Sequence, residues 1–122
     1  MGQIIRSGEC RNSPKNATME EIAIEIFESA RGRLLERLAD NVVLHLSDGT
    51  QKEGSEATNH YIVQHVQRDF ETLKIDHAIT HGRVGAANGF LLAGGHQTGF
   101  CVVVEFVNTK AERLQAIKLY GV

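Results

Sequence analysis

The sequence predicts an α+β domain in which helices come first and an antiparallel sheet follows. Three observations carry this prediction: apolar residues recur at helical spacing in the first half, apolar runs bounded by glycine or polar turns fill the second half, and a short hairpin lies between two helices. Helices grouped before strands favour a layered arrangement over alternating βαβ units, and we expect the sheet to curl over the helices. At 122 residues the chain suits one domain with a substantial core.

The domain is predicted to span residues 18–122, preceded by a polar, loosely held extension over residues 1–17. Thr18 and Glu21 form a capping box, which marks the start of the first helix. Apolar residues then recur at helical spacing until Gly32, which we expect to end this helix.

Two more helices and a hairpin are predicted before the main run of strands. A short second helix has an apolar stripe of Leu34, Leu35 and Leu38, and a third helix with its own apolar stripe runs from about Ser55 to about Arg68. Between them, residues 39–41 end the short helix and residues 42–46 form an apolar strand. Ser47-Asp48-Gly49 then supplies the hairpin turn.

Four strands are predicted in the second half of the chain, separated by glycine-containing or polar turns. Consecutive strands with short links form an antiparallel meander. A sheet that curls over a long helix encloses a cavity, so the fold predicts an internal site. The four strands are residues 73–84, 89–93, 100–107 and 114–120.

The charge balance and the cysteines argue against several classes of function. A net charge of -2 gives no electrostatic reason to expect nucleic acid or an anionic membrane as a partner. Cys10 and Cys101 have no CxxC motif or Cys/His cluster around them, which argues against a zinc site or a disulfide framework. We therefore expect a cytoplasmic protein with no cofactor, since the sequence shows no nucleotide-binding motif and no apolar signal segment.

Three short motifs and the order of the elements carry a family resemblance: ADNVVLHLSDG in the hairpin, EGSEA at the start of the third helix and GGHQTGF at a later hairpin. In these features residues 18–122 resemble the nuclear transport factor 2-like superfamily, in particular its SnoaL-like and ketosteroid-isomerase-like branch. The resemblance implies a cone-shaped α+β barrel of cystatin-like type, with three N-terminal helices packed in a curled antiparallel sheet, often as a homodimer. Such proteins use a deep pocket for isomerase, dehydratase, cyclase or epoxide hydrolase chemistry, or to carry a ligand.

The same resemblance argues against one chemistry of this branch. Ketosteroid isomerisation needs a carboxylate base, and it needs a protonated acid and a tyrosine as hydrogen-bond donors. Aligned with that pattern, the three positions fall on Leu46, Val102 and Ile22. These side chains have no proton to exchange, so this mechanism is not expected.

The alignment implies instead an apolar pocket that takes a small hydrophobic molecule. One face of each element lines this pocket, and strand alternation decides which side chains point inward. The predicted lining residues are Ile22, Ile26, Leu38, Leu44, Leu46, Tyr61, Ile75, Ile79, Phe100, Val102, Val104, Ile117 and Leu119.

His77 is the leading candidate for a functional residue. It shares its strand face with Ile75 and Ile79, so we expect it in the pocket while Asp76 points away. Burial would keep its imidazole neutral, the form required of a general base, and Tyr61 would supply a phenolic donor. The alternative is a buried structural histidine, hydrogen-bonded to a neighbour such as Tyr61 or Thr98. A slip of one residue in strand register would bring Asp76 inward and send His77 out.

The other histidines and Cys101 are interpreted as structural or solvent-exposed. His45 alternates away from the pocket, and His60 and His65 lie on the third helix at a spacing unsuited to chelation. His96 lies in a turn whose glycines are explained by backbone geometry alone. Cys101 is expected to be a packed, inert thiol rather than a nucleophile.

The outer face of the predicted sheet is too apolar for contact with water, so we expect a two-fold homodimer to cover it. Three functions remain open: a cofactor-free enzyme in which a second polar group converges on His77, a non-catalytic ligand-binding module, and an assembly module whose cavity is filled by its own side chains. The residues expected on the outer face are Cys101, Val103, Glu105, Val107, Lys118 and Tyr120.

Overall fold

The computed structural model describes residues 2–8, 13–28 and 32–122. Within these ranges the chain forms three helices and seven strands, in the order β1, α1, α2, β2, β3, α3, β4, β5, β6, β7. The helices are α1 (Pro14–Phe27), α2 (Arg33–Arg37) and α3 (Ser55–His65). The strands are β1 (Gln3–Ile5), β2 (Leu38–Leu46), β3 (Gln51–Glu53), β4 (Thr72–His81), β5 (Val84–Ala93), β6 (His96–Phe106) and β7 (Leu114–Tyr120).

One seven-stranded sheet, in the order β1-β4-β5-β6-β7-β2-β3, contains all of these strands. β4 to β7 form the antiparallel meander that the sequence predicts, and β2 and β3 form the predicted hairpin. β2 lies parallel to β7, and β1 lies parallel to β4 at the opposite edge. The α+β class is therefore confirmed, while the cone shape stays a prediction.

The first helix begins earlier than predicted. Ser13 is its N-cap residue, with a side-chain oxygen that accepts a hydrogen bond from the Asn16 backbone N–H at 3.3 Å. Pro14 follows at the first helical position, where an N–H is not needed. Thr18 lies inside the helix and donates its hydroxyl proton to the Pro14 carbonyl at 3.0 Å. The predicted start at Thr18 is wrong because Ser13 and Pro14 provide a complete start signal upstream.

The residues that precede α1 pack on the domain. Ile4 in β1 packs against the hydrophobic core, and Arg6 pairs with Glu21 of α1. The Ser7 backbone N–H donates to Glu20 Oε1 at 2.8 Å. Glu20 is 4 % exposed, so this contact supports a carboxylate that burial would otherwise disfavour. The predicted boundary between an extension and the domain stays a prediction.

The second helix gives way to β2 sooner than predicted. Residues 39–41 were expected at the end of that helix, but they belong to β2, where the strand leaves register with β7. Leu38 pairs with Leu114 and Val43 with Ala116, so five steps along β2 match two along β7. Pairing with β7 therefore overrides the helical spacing of the leucines in this stretch.

One hydrophobic core joins α1, α3 and the inner face of the sheet. From α1, Met19, Ile22, Ile26 and Phe27 are each 0 % exposed. Phe27 packs against Phe100 of β6, with ring centroids 4.5 Å apart. Alternate residues of the strands supply the other side of the core, as expected for a sheet with one buried face. They include Leu44, Leu73, Val102, Val104, Ile117 and Leu119.

Membrane-spanning helices, free cysteines and metal-binding clusters can each be checked in the described ranges. No helix in them is long and apolar enough to cross a bilayer, and the cytoplasmic location stays a prediction. Cys101 is a free thiol, whereas Cys10 lies outside the described residues. No group of three or more histidine, cysteine, aspartate or glutamate side chains in this part of the chain could hold a metal ion.

β4 carries a β-bulge beside Gly89 of β5. Ile75 lies opposite Gly89 and His77 lies opposite Asn88, so Asp76 is an extra residue with no partner across the ladder. The sequence places Gly89 at the start of a strand, but β5 continues through it. A Cβ at Gly89 would overlap a backbone carbonyl oxygen of β4, so the bulge requires glycine at this position.

We expect Gly89→Ala to lower the free energy of unfolding by about 3 kcal/mol, because the new Cβ forces the β4 backbone to move. Gly99→Ala is the matched control, since a Cβ at Gly99 in β6 would lie 3.9 Å from its nearest neighbour and should change stability little. Urea denaturation of both variants and the wild type measures the difference. A Gly89→Ala protein as stable as the wild type would contradict the bulge.

Candidate functional site

The side chains predicted to line an apolar pocket fill the interior of the domain. A side chain with no water-accessible surface cannot border an internal cavity large enough for a water molecule. The interior of this conformation is therefore packed along these residues rather than open. Exposure is 0 % for Ile22, Ile26, Leu44, Ile75, Val102, Val104, Ile117 and Leu119, 1 % for Leu38 and 5 % for Phe100.

Leu46 and Tyr61 are the predicted lining residues that stay partly open. Both are half-buried and pack against the edge of the core. The Tyr61 ring lies 4.6 Å from the His65 ring, and Lys52 Nζ lies 5.6 Å from the Tyr61 ring centroid. Tyr61 therefore sits at the rim between α3 and β3, with its ring in contact with basic side chains.

His77 and Ile79 lie on the opposite side of the sheet from the predicted one. His77 is exposed and Ile79 is 59 % exposed, whereas Ala78, expected to point outward, is 1 % exposed. The predicted orientation is wrong because strand alternation was counted through Asp76, and the bulge there inverts every later side chain. The apolar spacing of Ile75 and Ala78, three rather than two, is the signal that could have revealed it.

The alternative register is also wrong, since Asp76 does not point inward either. Its carboxylate lies 3.7 Å from the Lys74 ammonium, and the two side chains are 40 % and 43 % exposed. The interpretation of His77 as a buried structural histidine beside Tyr61 fails for the same reason. Tyr61 of α3 packs against the core, whereas His77 is exposed on the opposite side of the sheet, so the structure does not bring the candidate base and the candidate donor together.

We call the side of β4–β7 that points away from α1 the outer face, and it carries a continuous apolar patch. Ile79 of β4 lies opposite Ala86 of β5, and Ala86 lies opposite Val103 of β6. Cys101 of β6 lies opposite Tyr120 of β7, which is 44 % exposed. Buried Val102 and Val104 separate the half-buried Cys101, Val103 and Glu105, as predicted. Val84 and Val107, 46 % and 41 % exposed, lie at the same end of the sheet.

The charges on the outer face are balanced by near neighbours. Lys118 Nζ lies 3.7 Å from Glu105 Oε2, and Lys74 and Asp76 form the second pair. Both pairs are well exposed, so each contributes at most about 1 kcal/mol to folding. Together, these four charged groups contribute no net charge to the outer face.

A polar surface hollow of about 540 Å³ lies beside the end of α1. Its centre is a bidentate ion pair, in which Arg37 Nε and Nη2 donate to the two oxygens of Glu25 at 2.7 and 2.9 Å. Hydrogen bonding to Glu25 raises the pKa of the Arg37 guanidinium above its ordinary value. The sequence patterns do not predict this pair, although a glutamate between two isoleucines of a helix is a signal for a buried charge. The hollow is lined by Glu21, Glu25, Arg33, Glu36, Arg37 and Glu112.

Comparison with solved structures places the chain in a known fold. A de novo designed protein with a curved β-sheet matches with a TM-score of 0.73 at 17% identity, over 88% of this chain and 84% of that one. A nuclear transport factor 2-like protein of unknown function from Cytophaga hutchinsonii matches with 0.66 at 12% identity, over 87% and 88%. A protein from work on de novo design of diverse pocket structures matches with 0.63 at 14% identity, over 84% and 95%.

These likenesses confirm the nuclear transport factor 2-like fold that the sequence predicts. No sequence family matches the chain, and no curated protein does. At such low identity the comparisons support the fold alone. The SnoaL-like and ketosteroid-isomerase-like branch stays a prediction.

We expect Arg37→Met to lower the free energy of unfolding by about 3–5 kcal/mol, because it leaves the Glu25 carboxylate, 5 % exposed, without its partner. The double variant Glu25→Leu, Arg37→Met should recover most of that loss, since the unpaired charge is then gone. Glu36→Ala, an exposed position in the same hollow, is the control and should stay within about 0.5 kcal/mol of the wild type. Thermal unfolding compares the four proteins, and equal losses in the single and double variants would contradict the role of the buried charge.

Proposed function

We propose that this nuclear transport factor 2-like chain is a non-catalytic interaction module that forms a two-fold homodimer through its outer face. One observation carries the proposal: Ile79, Val84 and Tyr120 are 59 %, 46 % and 44 % exposed on one face, beside half-buried Val103 and Cys101. Contiguous exposed apolar surface of this kind is typical of a binding site on a soluble protein.

The charge pattern of the outer face favours a second copy of the chain as the occupant. In a two-fold dimer the same patch meets itself, so any net charge on it would be repelled. The pairs Lys118–Glu105 and Lys74–Asp76 cancel within the face. A face that is apolar at its centre and neutral overall can therefore meet its own copy.

The area of the outer face is also suitable for a dimer interface. Four strands about 4.8 Å apart and about 30 Å long give a projected area of roughly 570 Å². Accessible area exceeds projected area on a surface of side chains, so the face approaches the about 800 Å² per partner found in stable complexes.

The interior supports a role without proton transfer. The positions that would hold the base, the acid and the tyrosine of ketosteroid isomerase are Leu46, Val102 and Ile22, and the latter two are fully buried among apolar neighbours. Glu20 and Glu25, the buried carboxylates in the described ranges, accept hydrogen bonds from the Ser7 backbone N–H and the Arg37 guanidinium, respectively.

The proposed dimer is tested by light scattering coupled to size-exclusion chromatography. A chain of 13.4 kDa should elute with twice that mass. Ile79→Lys should produce a monomer, because two added ammonium groups would have to be buried in the interface. Leu35→Lys is the matched control, since Leu35 is also exposed, at 39 %, but lies on α2 away from the outer face. A monomeric wild type, or a dimer that Ile79→Lys leaves intact, would contradict the proposal.

A second candidate function, binding of a small hydrophobic molecule as in SnoaL-like proteins, is favoured by one polar atom. Thr58 Oγ1 in α3 is fully buried and has no hydrogen-bond partner within the described part of the chain. A ligand hydroxyl or carbonyl that entered beside the half-buried Leu46 and Tyr61 would supply that partner. The likeness to a protein from work on designed pockets is consistent with such an opening in this fold.

Thermal shift with a panel of hydrophobic alcohols, ketones and epoxides tests this second candidate. A ligand at about a hundred times its dissociation constant adds about 2.7 kcal/mol, or several degrees in a domain of this size. Thr58→Val should reduce the shift for polar members of the panel and preserve it for hydrocarbons. His77→Ala, on the outer face, should leave every shift unchanged. No shift with any compound would contradict ligand binding, and loss of all shifts in His77→Ala would contradict the site.

A further inference from the structure

We infer that Asn88 lies at the two-fold axis of the proposed homodimer, where its carboxamide pairs with that of the second copy and fixes how the two copies are aligned. The inference rests on the proposed function and names the residue that determines its specificity. Asn88 is an exposed residue of β5, and its neighbours across the ladders are His77 of β4 and Cys101 of β6.

Asn88 lies at the centre of the outer face. β5 and β6 are the two middle strands of the four that form this face. Along β5, Asn88 is the middle one of the side chains that alternate to the outer side, with Val84 and Ala86 before it and Phe90 and Leu92 after it. A patch that covers its own copy about a two-fold axis has that axis at its centre. Side chains at the centre of the face therefore meet their own copies.

Asn88 is also the one polar side chain that β5 contributes to the outer face. Ala86 and Phe90 flank it along the strand, and Cys101 lies opposite it on β6. Water hydrates this exposed carboxamide in the monomer, and a second copy seated on the face removes that water. A carboxamide that is covered without a hydrogen-bond partner costs free energy, so the dimer has to supply one.

A carboxamide can find that partner in its own copy. It carries two N–H donors and a carbonyl acceptor, so two of these groups related by a two-fold axis can form two reciprocal hydrogen bonds. A carboxylate or an ammonium group at the same place would instead meet a like charge. Asparagine is thus a side chain suited to the axis of a face that has to bind itself.

The reciprocal pair fixes the alignment of the two copies, which apolar contact alone does not. Burial of apolar surface has no preferred direction, so several alignments of two apolar patches bury similar areas. Any alignment that separates the two Asn88 side chains leaves both carboxamides covered and without that partner. A single buried asparagine selects the register of a coiled coil for the same reason.

Opposite charges at position 88 test whether this residue meets its own copy. Asn88→Asp and Asn88→Lys should each raise the dissociation constant of the dimer at least about 100-fold in sedimentation equilibrium, because two like charges come together at the axis. An equimolar mixture of the two variants should form a heterodimer with a dissociation constant within about tenfold of the wild-type value, because the two charges then attract. Circular dichroism checks that each variant is folded, and Asn88→Glu with Asn88→Arg provides a second pair for the same test.

Gln97→Asp and Gln97→Lys are the matched controls. Gln97 is also exposed and lies opposite Leu92, but it is four residues along β6 from Cys101, about 13 Å away. Charges at the rim of an interface stay hydrated, so each Gln97 variant should keep a dissociation constant within about threefold of the wild-type value. Mixing the two Gln97 variants should have no further effect.

The outcomes separate this inference from the proposed function. A monomeric wild type overturns both. If the wild type is a dimer, the inference alone is overturned when either Asn88 variant keeps the wild-type dissociation constant, or when the mixture associates no better than each variant by itself. Tighter association of the mixed Gln97 variants would overturn it as well, because general attraction between oppositely charged chains would then explain the heterodimer.

Discussion

The bulge at Asp76 is the constraint on which the arrangement of side chains in this protein depends. One extra residue in β4 inverts the alternation of the strand, so Ile79 reaches the outer face and Ala78 the core. The bulge is possible because Gly89 of β5 leaves room for the β4 backbone. The bulge thus decides both which β4 side chains fill the interior and which lie on the outer face. Without it, the outer patch would lose its most exposed member.

The same inversion explains why the interior is filled. Beyond the bulge, the sheet presents small inner residues to α1, namely Ala78, Ala87 and Gly85. A Cβ at Gly85 would meet the Met19 side chain at 2.6 Å, so the methionine occupies the space that larger strand residues would take. Close packing of this kind leaves little volume for another molecule. A ligand would have to displace side chains of the chain itself, which weakens its binding by the cost of that rearrangement.

Local sequence patterns predict most of the helices and strands. They fail where pairing between distant segments of the chain determines the local structure. The hairpin, the meander and the three helices follow from spacing and turn residues along the chain. The orientation of His77 does not, because alternation predicts faces only in an unbroken strand. The strand at residues 39–41 likewise depends on β7, far along the chain. The ion pair of Glu25 and Arg37 joins α1 and α2, and no periodicity encodes it.

The two edges of the sheet are poorly suited to pairing with another chain. Both edge strands, β1 and β3, are only three residues long. β3 carries Lys52 and Glu53, and Arg6 follows β1, so the free backbone groups at each edge are few and flanked by charge. Short, charged edges discourage a further chain from adding strands to the sheet. Edge-to-edge growth of this sheet into a continuous ribbon is therefore disfavoured.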